Sequence, residues 1–149
     1  MTAGSFNAAM IQMRSSLKPS ENIDAAVRLI GEAKAAGADY VLTPEMTNIL
    51  AAKREQLFDV IADEESDKAL ATFRELARQL SIYIHVGSLA IRISHDKAVN
   101  RSFLLDPKGD IVPFDAANDA LGGDFLARLN MDLREDKGWS YGVGGGESI

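Results

Sequence analysis

Within the first 42 residues an apolar run, an amphipathic stretch and a second apolar run follow one another, and this order constrains the fold more than any other feature of the chain. Phe6 to Met13 reads Phe-Asn-Ala-Ala-Met-Ile-Gln-Met, a composition suited to a short strand buried on both faces. Pro19 and Ser20 follow, with Ser20 a candidate N-cap. Ile23, Ala26, Val27, Ile30 and Ala33 then recur at spacings of three and four, which predicts a helix with one apolar stripe ending near Gly37. Tyr40, Val41 and Leu42 are strand formers, and Pro44 cannot donate to a ladder, so the strand ends there. A strand, a helix and a strand in so short a span predict a parallel βαβ unit and an α/β fold.

The unit leaves Glu45 at a strand's carboxyl end, the side of an α/β sheet that borders ligand-binding crevices. A carboxylate held there is placed for proton transfer, although a solvated loop glutamate gives the same pattern.

The pattern then loosens. Met46 to Glu65 is polar and weakly periodic, which predicts a surface excursion with a short helix around Lys53 to Ile61. Asp63, Glu64 and Glu65 with Asp67 could attract a divalent cation, but such a run is also what a solvated helix start looks like. From Asp67 to Leu80 a second helix has Leu70, Phe73, Leu76, Ala77 and Leu80 on one face. Ile82 to Ile91 is an unbroken strand whose Gly87 marks a close backbone approach or a bulge. Ser94 to Lys97 turns the chain, Ala98 to Leu105 alternates as a strand, Asp106-Pro107-Lys108-Gly109 turns it again, and Asp110-Ile111-Val112 starts a return, so residues 82–112 read as a three-stranded meander. From Ala116 the character changes. Leu121, Phe125, Leu129 and Leu133 predict a helix, Trp139, Tyr141 and Val143 a short strand, and Gly144 to Gly146 a flexible end.

Composition removes several classes of function. The chain has 149 residues, 46% of them apolar, which suffices for a core. Its formal charge of −6 and lack of a basic patch argue against nucleic acid and anionic membranes as partners. No apolar window is long enough to span a bilayer and no targeting segment opens the chain, so a cytoplasmic protein is the default expectation. There is no cysteine, which excludes disulfides, thiolate metal sites and a thiol nucleophile within these residues. The two histidines, His85 and His95, lie ten apart in no metal-binding pattern. His85, in a strand, reads as a partly buried neutral imidazole and His95, in a turn, as a solvated one.

Six features in order resemble the nitrilase superfamily of carbon–nitrogen hydrolases: Ile11-Gln12-Met13, Asn22, Gly37-Ala38-Asp39, Leu42-Thr43-Pro44-Glu45, Asn100-Arg101-Ser102 and Asp106-Pro107-Lys108-Gly109. The resemblance covers residues of about 5–112. It implies half of an α-β-β-α sandwich, an amide or nitrile substrate, no cofactor and no metal, with Glu45 in the position of the general base. In that family a cysteine attacks the carbon, the glutamate takes the thiol proton and a lysine steadies the developing charge. Here the cysteine is absent and the segment after the hairpin, Pro113-Phe114-Asp115, departs from the family's lysine pattern. This implies a catalytically incompetent hydrolase fragment.

A second stretch, with Asn118-Asp119-Ala120-Leu121-Gly122-Gly123, Arg128-Leu129-Asn130, Leu133-Arg134-Glu135 and Lys137 to Val143, resembles the pitrilysin-like zinc peptidases. There Arg134 and Tyr141 match residues directed toward the substrate. The expected organisation is therefore a truncated nitrilase-like part at 1–115 joined to a peptidase-derived helix-strand segment at 116–149. Such a chimera leaves an apolar sheet face uncovered, which implies self-association or cover by the helix at 121–133. Two other readings stand beside the inactive fragment: a non-catalytic assembly module, and a residual amidohydrolase in which Glu45 activates water.

Overall fold

The computed structural model describes residues 6–113 and the two-residue strand Met131–Asp132. Its elements in order are β1 (Ala8–Met10), α1 (Pro19–Ala35), β2 (Tyr40–Leu42), α2 (Arg54–Phe58), α3 (Lys68–Leu80), β3 (Tyr83–Arg92), β4 (Ala98–Leu105) and β5 (Met131–Asp132). They form a mixed α/β fold around one sheet of order β1-β2-β3-β4-β5. β1, β2 and β3 run parallel, in the βαβ arrangement that the opening pattern demands. β4 and β5 are antiparallel additions.

Both long helices cover the same face. Ala26 and Ile30 of α1, and Leu70, Phe73 and Ala77 of α3, pack with Val41, Ile84, Val86, Leu89, Ile91, Phe103 and Leu105 in the main core. Phe73 is fully buried at its centre. α3 begins where Asp67 accepts a hydrogen bond from the Leu70 N–H at 2.8 Å, and it ends where Ser81 takes a left-handed conformation. On the opposite face, strand alternation sets Met10, Leu42, His85 and Leu104 in register across four strands, with Tyr40 and Tyr83 in a neighbouring row. Here Met10 is 82% exposed and Tyr83 40%.

Several local expectations need correction. β1 is not buried on both faces. Among the described residues it is a three-residue edge strand with a neighbour on one side only, and Met10 is exposed. The N-cap of α1 is Lys18, not Ser20, because Pro19 suits the first helical position and starts the helix earlier. The stretch from Met46 is no surface excursion: Met46, Ile49, Ala51, Leu57 and Ile61 form a second core with Ala90 and Ala98. Leu57 comes from the short α2, which falls within the helix expected around Lys53 to Ile61, but Met46, Ile49, Ala51 and Ile61 pack from loop, so no helical or strand period announces them. The expected third strand of the meander reduces, among the described residues, to one bridge between Leu105 and Ile111. Met131–Asp132 pairs with Val99 and Asn100 where the leucine spacing predicts helix, the free edge of β4 prevailing over periodicity. The remainder of the helix expected at 121–133, the strand at 139–143, Arg134 and Tyr141 lie outside the described residues.

Candidate active site

Glu45 stands in the turn that follows β2, at the carboxyl end of the parallel strands, and its side chain is exposed. The turn is shaped by Met46, which has a left-handed φ of 53° while its side chain is buried. A non-glycine residue takes that conformation at a cost, and the neighbouring contacts compensate for it. The Met46 N–H donates to Ser88 Oγ at 2.7 Å, and the Thr47 N–H donates to the Ser88 carbonyl at 2.9 Å.

Two threonines lock the other side of the turn. Gly87 N–H donates to Thr43 Oγ1 at 3.0 Å, Thr43 Oγ1 and Thr47 Oγ1 lie 2.7 Å apart, and Thr47 Oγ1 donates to the Pro44 carbonyl at 2.7 Å. Each hydroxyl has a single proton. Since Thr47 gives its own to Pro44, Thr43 must donate to Thr47, and the chain runs in one direction from the Gly87 amide to the Pro44 carbonyl. Both hydroxyl-bearing residues are buried, so water does not compete for these bonds.

β3 is adapted to this contact in two ways. Opposite Ser102 of β4 stand two residues, Gly87 and Ser88, because the pairing shifts between Val86 and Leu89. Such a bulge re-aims side chains, here bringing Ser88 under Met46. Gly87 also admits the turn: a Cβ placed there would lie 2.0 Å from the Thr43 carbonyl oxygen. The close approach and the bulge expected from its position in the strand are both present. Ser102 Oγ completes the joint by donating to the Gly87 carbonyl at 2.5 Å.

Asn100, on β4, donates from Nδ2 to Glu45 Oε1 at 2.7 Å and is itself buried. Further back, two buried asparagines tie the turn to the helices. Asn48 brackets the Ala90 backbone with one accepted and one donated bond, at 2.9 and 3.0 Å. Asn22 of α1 accepts from Ser16 N–H at 2.8 Å and donates to the Ser16 and Asn48 carbonyls at 2.9 and 3.0 Å. Thr47, Asn48 and Ser88 carry no signal in the sequence, because a lone hydroxyl or amide reads as solvated until its partners are known.

The acidic run is not assembled as a cation site. Asp63 accepts from Ser66 N–H, Glu64 pairs with Arg101, and Asp67 caps α3 with an Asn48 contact behind it. Burial pushes the Asp67 carboxyl above the ordinary carboxylate range. Among the described residues no group of three ligands could hold a metal. His95 is exposed at its turn as expected. His85 is half-buried, its Nδ1 2.5 Å from Tyr40 Oη. Burial lowers the imidazole pKa and raises that of the phenol, so both groups are held neutral, with the phenol donating to Nδ1. No described helix is long and apolar enough to cross a membrane.

A cavity of about 380 Å³ opens elsewhere, between the first turns of α1 and α3, and does not include Glu45. The arrangement around Glu45 is thus a carboxylate on a rigid, internally hydrogen-bonded turn, able to accept a proton. The chain offers no thiol to supply one.

Comparison with known proteins agrees with this geometry. The model of the carbon–nitrogen hydrolase family matches residues 7–119. No curated protein matches the chain. Among solved structures, the C. elegans NitFhit protein superposes with a TM-score of 0.62 at 23% identity, over 70% of this chain and 26% of its own. An amidase from Nesterenkonia sp. gives 0.61 at 23% identity, over 72% of this chain and 41% of its own. A carbon-nitrogen hydrolase from Helicobacter pylori G27 gives 0.62 at 17%, over 72% and 38%. At these identities the likeness is one of fold, and the chain spans between about a quarter and two fifths of the structures it matches.

Proposed function

The chain belongs to the carbon–nitrogen hydrolase family, and on that premise we propose that it carries the proton-accepting part of an amide- or nitrile-hydrolysing site without the nucleophile. Glu45 is the residue placed to accept a proton. The observation that carries the reading is its rigid seat after β2, held through Asn100, in a sequence with no cysteine. One structure of the Nesterenkonia amidase shows acrylamide added to an active-site cysteine of that protein. Chemistry of that kind needs a thiol, and oxygen nucleophiles near Glu45 do not replace it: Thr43 and Thr47 spend their protons within the turn, Ser102 gives its own to the Gly87 carbonyl, and Ser88 is fully buried beneath Met46. These 149 residues by themselves are therefore catalytically silent toward amides and nitriles. Ammonia release from primary amides and nitriles tests this: none above the uncatalysed rate is expected, and turnover lost in Glu45→Gln would establish instead a residual amidohydrolase in which Glu45 activates water.

A second reading, a non-catalytic assembly module, is favoured by the sheet face away from the helices. At its β1 end Met10, Tyr40, Leu42, Tyr83, His85 and Leu104 form a patch without a formal charge, away from Arg92 and the second core at the other end. In this reading two copies associate through the face, and a sedimentation coefficient independent of concentration would refute it. For residues from 116 on, we retain a peptidase-derived origin, with Arg134 and Tyr141 as the residues inherited from a substrate-facing surface. Two parent genes adjacent in the genome, joined near codon 115, would support that origin, and one uninterrupted ancestral frame would end it.

A further inference from the structure

Among the described residues three asparagines are buried, and one differs from the other two. Asn22 and Asn48 each use their carbonyl oxygen and their amide nitrogen in hydrogen bonds to the backbone. Asn100 is 4% exposed, yet only its nitrogen is engaged, by Glu45, and its Oδ1 is buried with no hydrogen-bond partner among the described residues. Buried carbonyl oxygens are as a rule satisfied, and an asparagine serving only to knit the interior together would be set so that its acceptor is used.

Turning the carboxamide over does not help. It would place Oδ1 in the nitrogen's position, 2.7 Å from a carboxylate oxygen, with two acceptors face to face. The orientation of Asn100 is therefore dictated by the charge on Glu45, at the expense of its own acceptor. Its backbone is held in turn by β3 on one side, opposite Ala90, and by β5 on the other, opposite Met131.

We propose that Asn100 is a positioning residue for Glu45: its N–H holds one carboxylate oxygen in a fixed place, so that the second oxygen of an otherwise exposed side chain is presented in one direction to take a proton. This rests on the reading of Glu45 as a proton acceptor. An exposed glutamate without such a tether samples several rotamers, and only a fraction of them would face a reacting group.

The test uses the full ¹⁵N-labelled chain at neutral pH and reads the Asn100 carboxamide by NMR. In the wild type one of its two N–H protons should exchange with solvent about tenfold or more slowly than in Glu45→Ala, the factor that a hydrogen bond to a charged group represents. Equal exchange in the two proteins would overturn the proposal. In a second arm, the Glu45 methylene couplings should report one rotamer in the wild type and averaging in Asn100→Ala and in the isosteric Asn100→Asp. A single rotamer surviving in both variants would also overturn it, since a merely structural asparagine would leave Glu45 unmoved. Should the Asn100 variants fail to fold, the Glu45→Ala arm decides alone, the replaced side chain being exposed. Neither arm reads turnover, so amide hydrolysis by the wild type would defeat the proposed function while leaving this inference standing.

Discussion

Replacing Gly87 by alanine adds one methyl group at the joint between β3 and the Glu45 turn, and its cost follows from three distances. The new Cβ would lie 2.0 Å from the Thr43 carbonyl oxygen and 2.9 Å from both the carbonyl carbon and oxygen of Pro44. Contacts under 3.0 Å are not tolerated, so the turn and β3 must separate by at least about 1 Å. Overpacking of this kind costs about 1–3 kcal/mol, and the upper end applies because the obstructing atoms are backbone pinned by the threonine chain. Separation also breaks the bond from Gly87 N–H to Thr43 Oγ1, worth about 1 kcal/mol. Alanine recovers about 0.5–1 kcal/mol of backbone entropy over glycine in a strand, which leaves a net loss of about 3 kcal/mol. At a urea m-value of about 2 kcal/mol/M, the unfolding midpoint falls by about 1.5 M. The matched control is Gly31→Ala within α1, where nothing lies within 4 Å of the added Cβ. There the same substitution should raise stability by about 0.8–1 kcal/mol. Urea titration followed by far-UV circular dichroism measures both. A Gly87→Ala midpoint within 0.25 M of wild type would refute the close approach that seats Glu45.

Truncating Phe73 to alanine removes the largest fully buried side chain between α3 and the sheet, and a loss of about 3–5 kcal/mol is expected in the same titration. Asn22→Ala leaves Ser16 N–H and the Asn48 carbonyl without the Asn22 side chain, while the Ser16 carbonyl keeps its bond from Leu50 N–H, and a loss of about 2 kcal/mol should appear, with faster amide exchange at Ser16. For His85 the sign follows from burial, which depresses the folded-state pKa below the ordinary imidazole value of 6.5. Over that range the unfolded chain binds the proton more tightly, so His85's contribution is complete above pH 6.5 and is lost as pH falls through the folded pKa. The urea midpoint should thus drop between about pH 7 and pH 5, and in His85→Gln this part of the drop should vanish.

The parts of this fold legible in the sequence are those in which one residue's environment repeats at a fixed period. The stripe from Ile23 to Ala33 and the one from Leu70 to Leu80 mark α1 and α3 because each helix buries a single face on the sheet. The end of β2 is legible through Pro44, and the crowding at Gly87 through the presence of glycine in an otherwise apolar strand. What escapes is set by single tertiary contacts. Met46, Ile49 and Ala51 enter a core from irregular backbone, where no period exists to detect. Met10 reads as buried from its apolar neighbours, yet β1 turns out to be an edge strand, and edge or centre is a property of topology. Glu45 could be singled out by its position after a strand and by family resemblance. Its supports, Thr43, Thr47, Ser88 and Asn100, come from three separate stretches, and their hydrogen bonds exist only once β2, β3 and β4 lie side by side.

That a seated glutamate stands here without a nucleophile has one direct measurement: the intact mass of the purified chain after incubation with an excess of a reactive primary amide or its ester analogue. The expected spectrum shows the unmodified chain alone at every time point. An increment equal to one acyl group, present in the wild type and absent in Glu45→Gln, would mean that a side chain other than cysteine performs the attack, and would contradict the assignment.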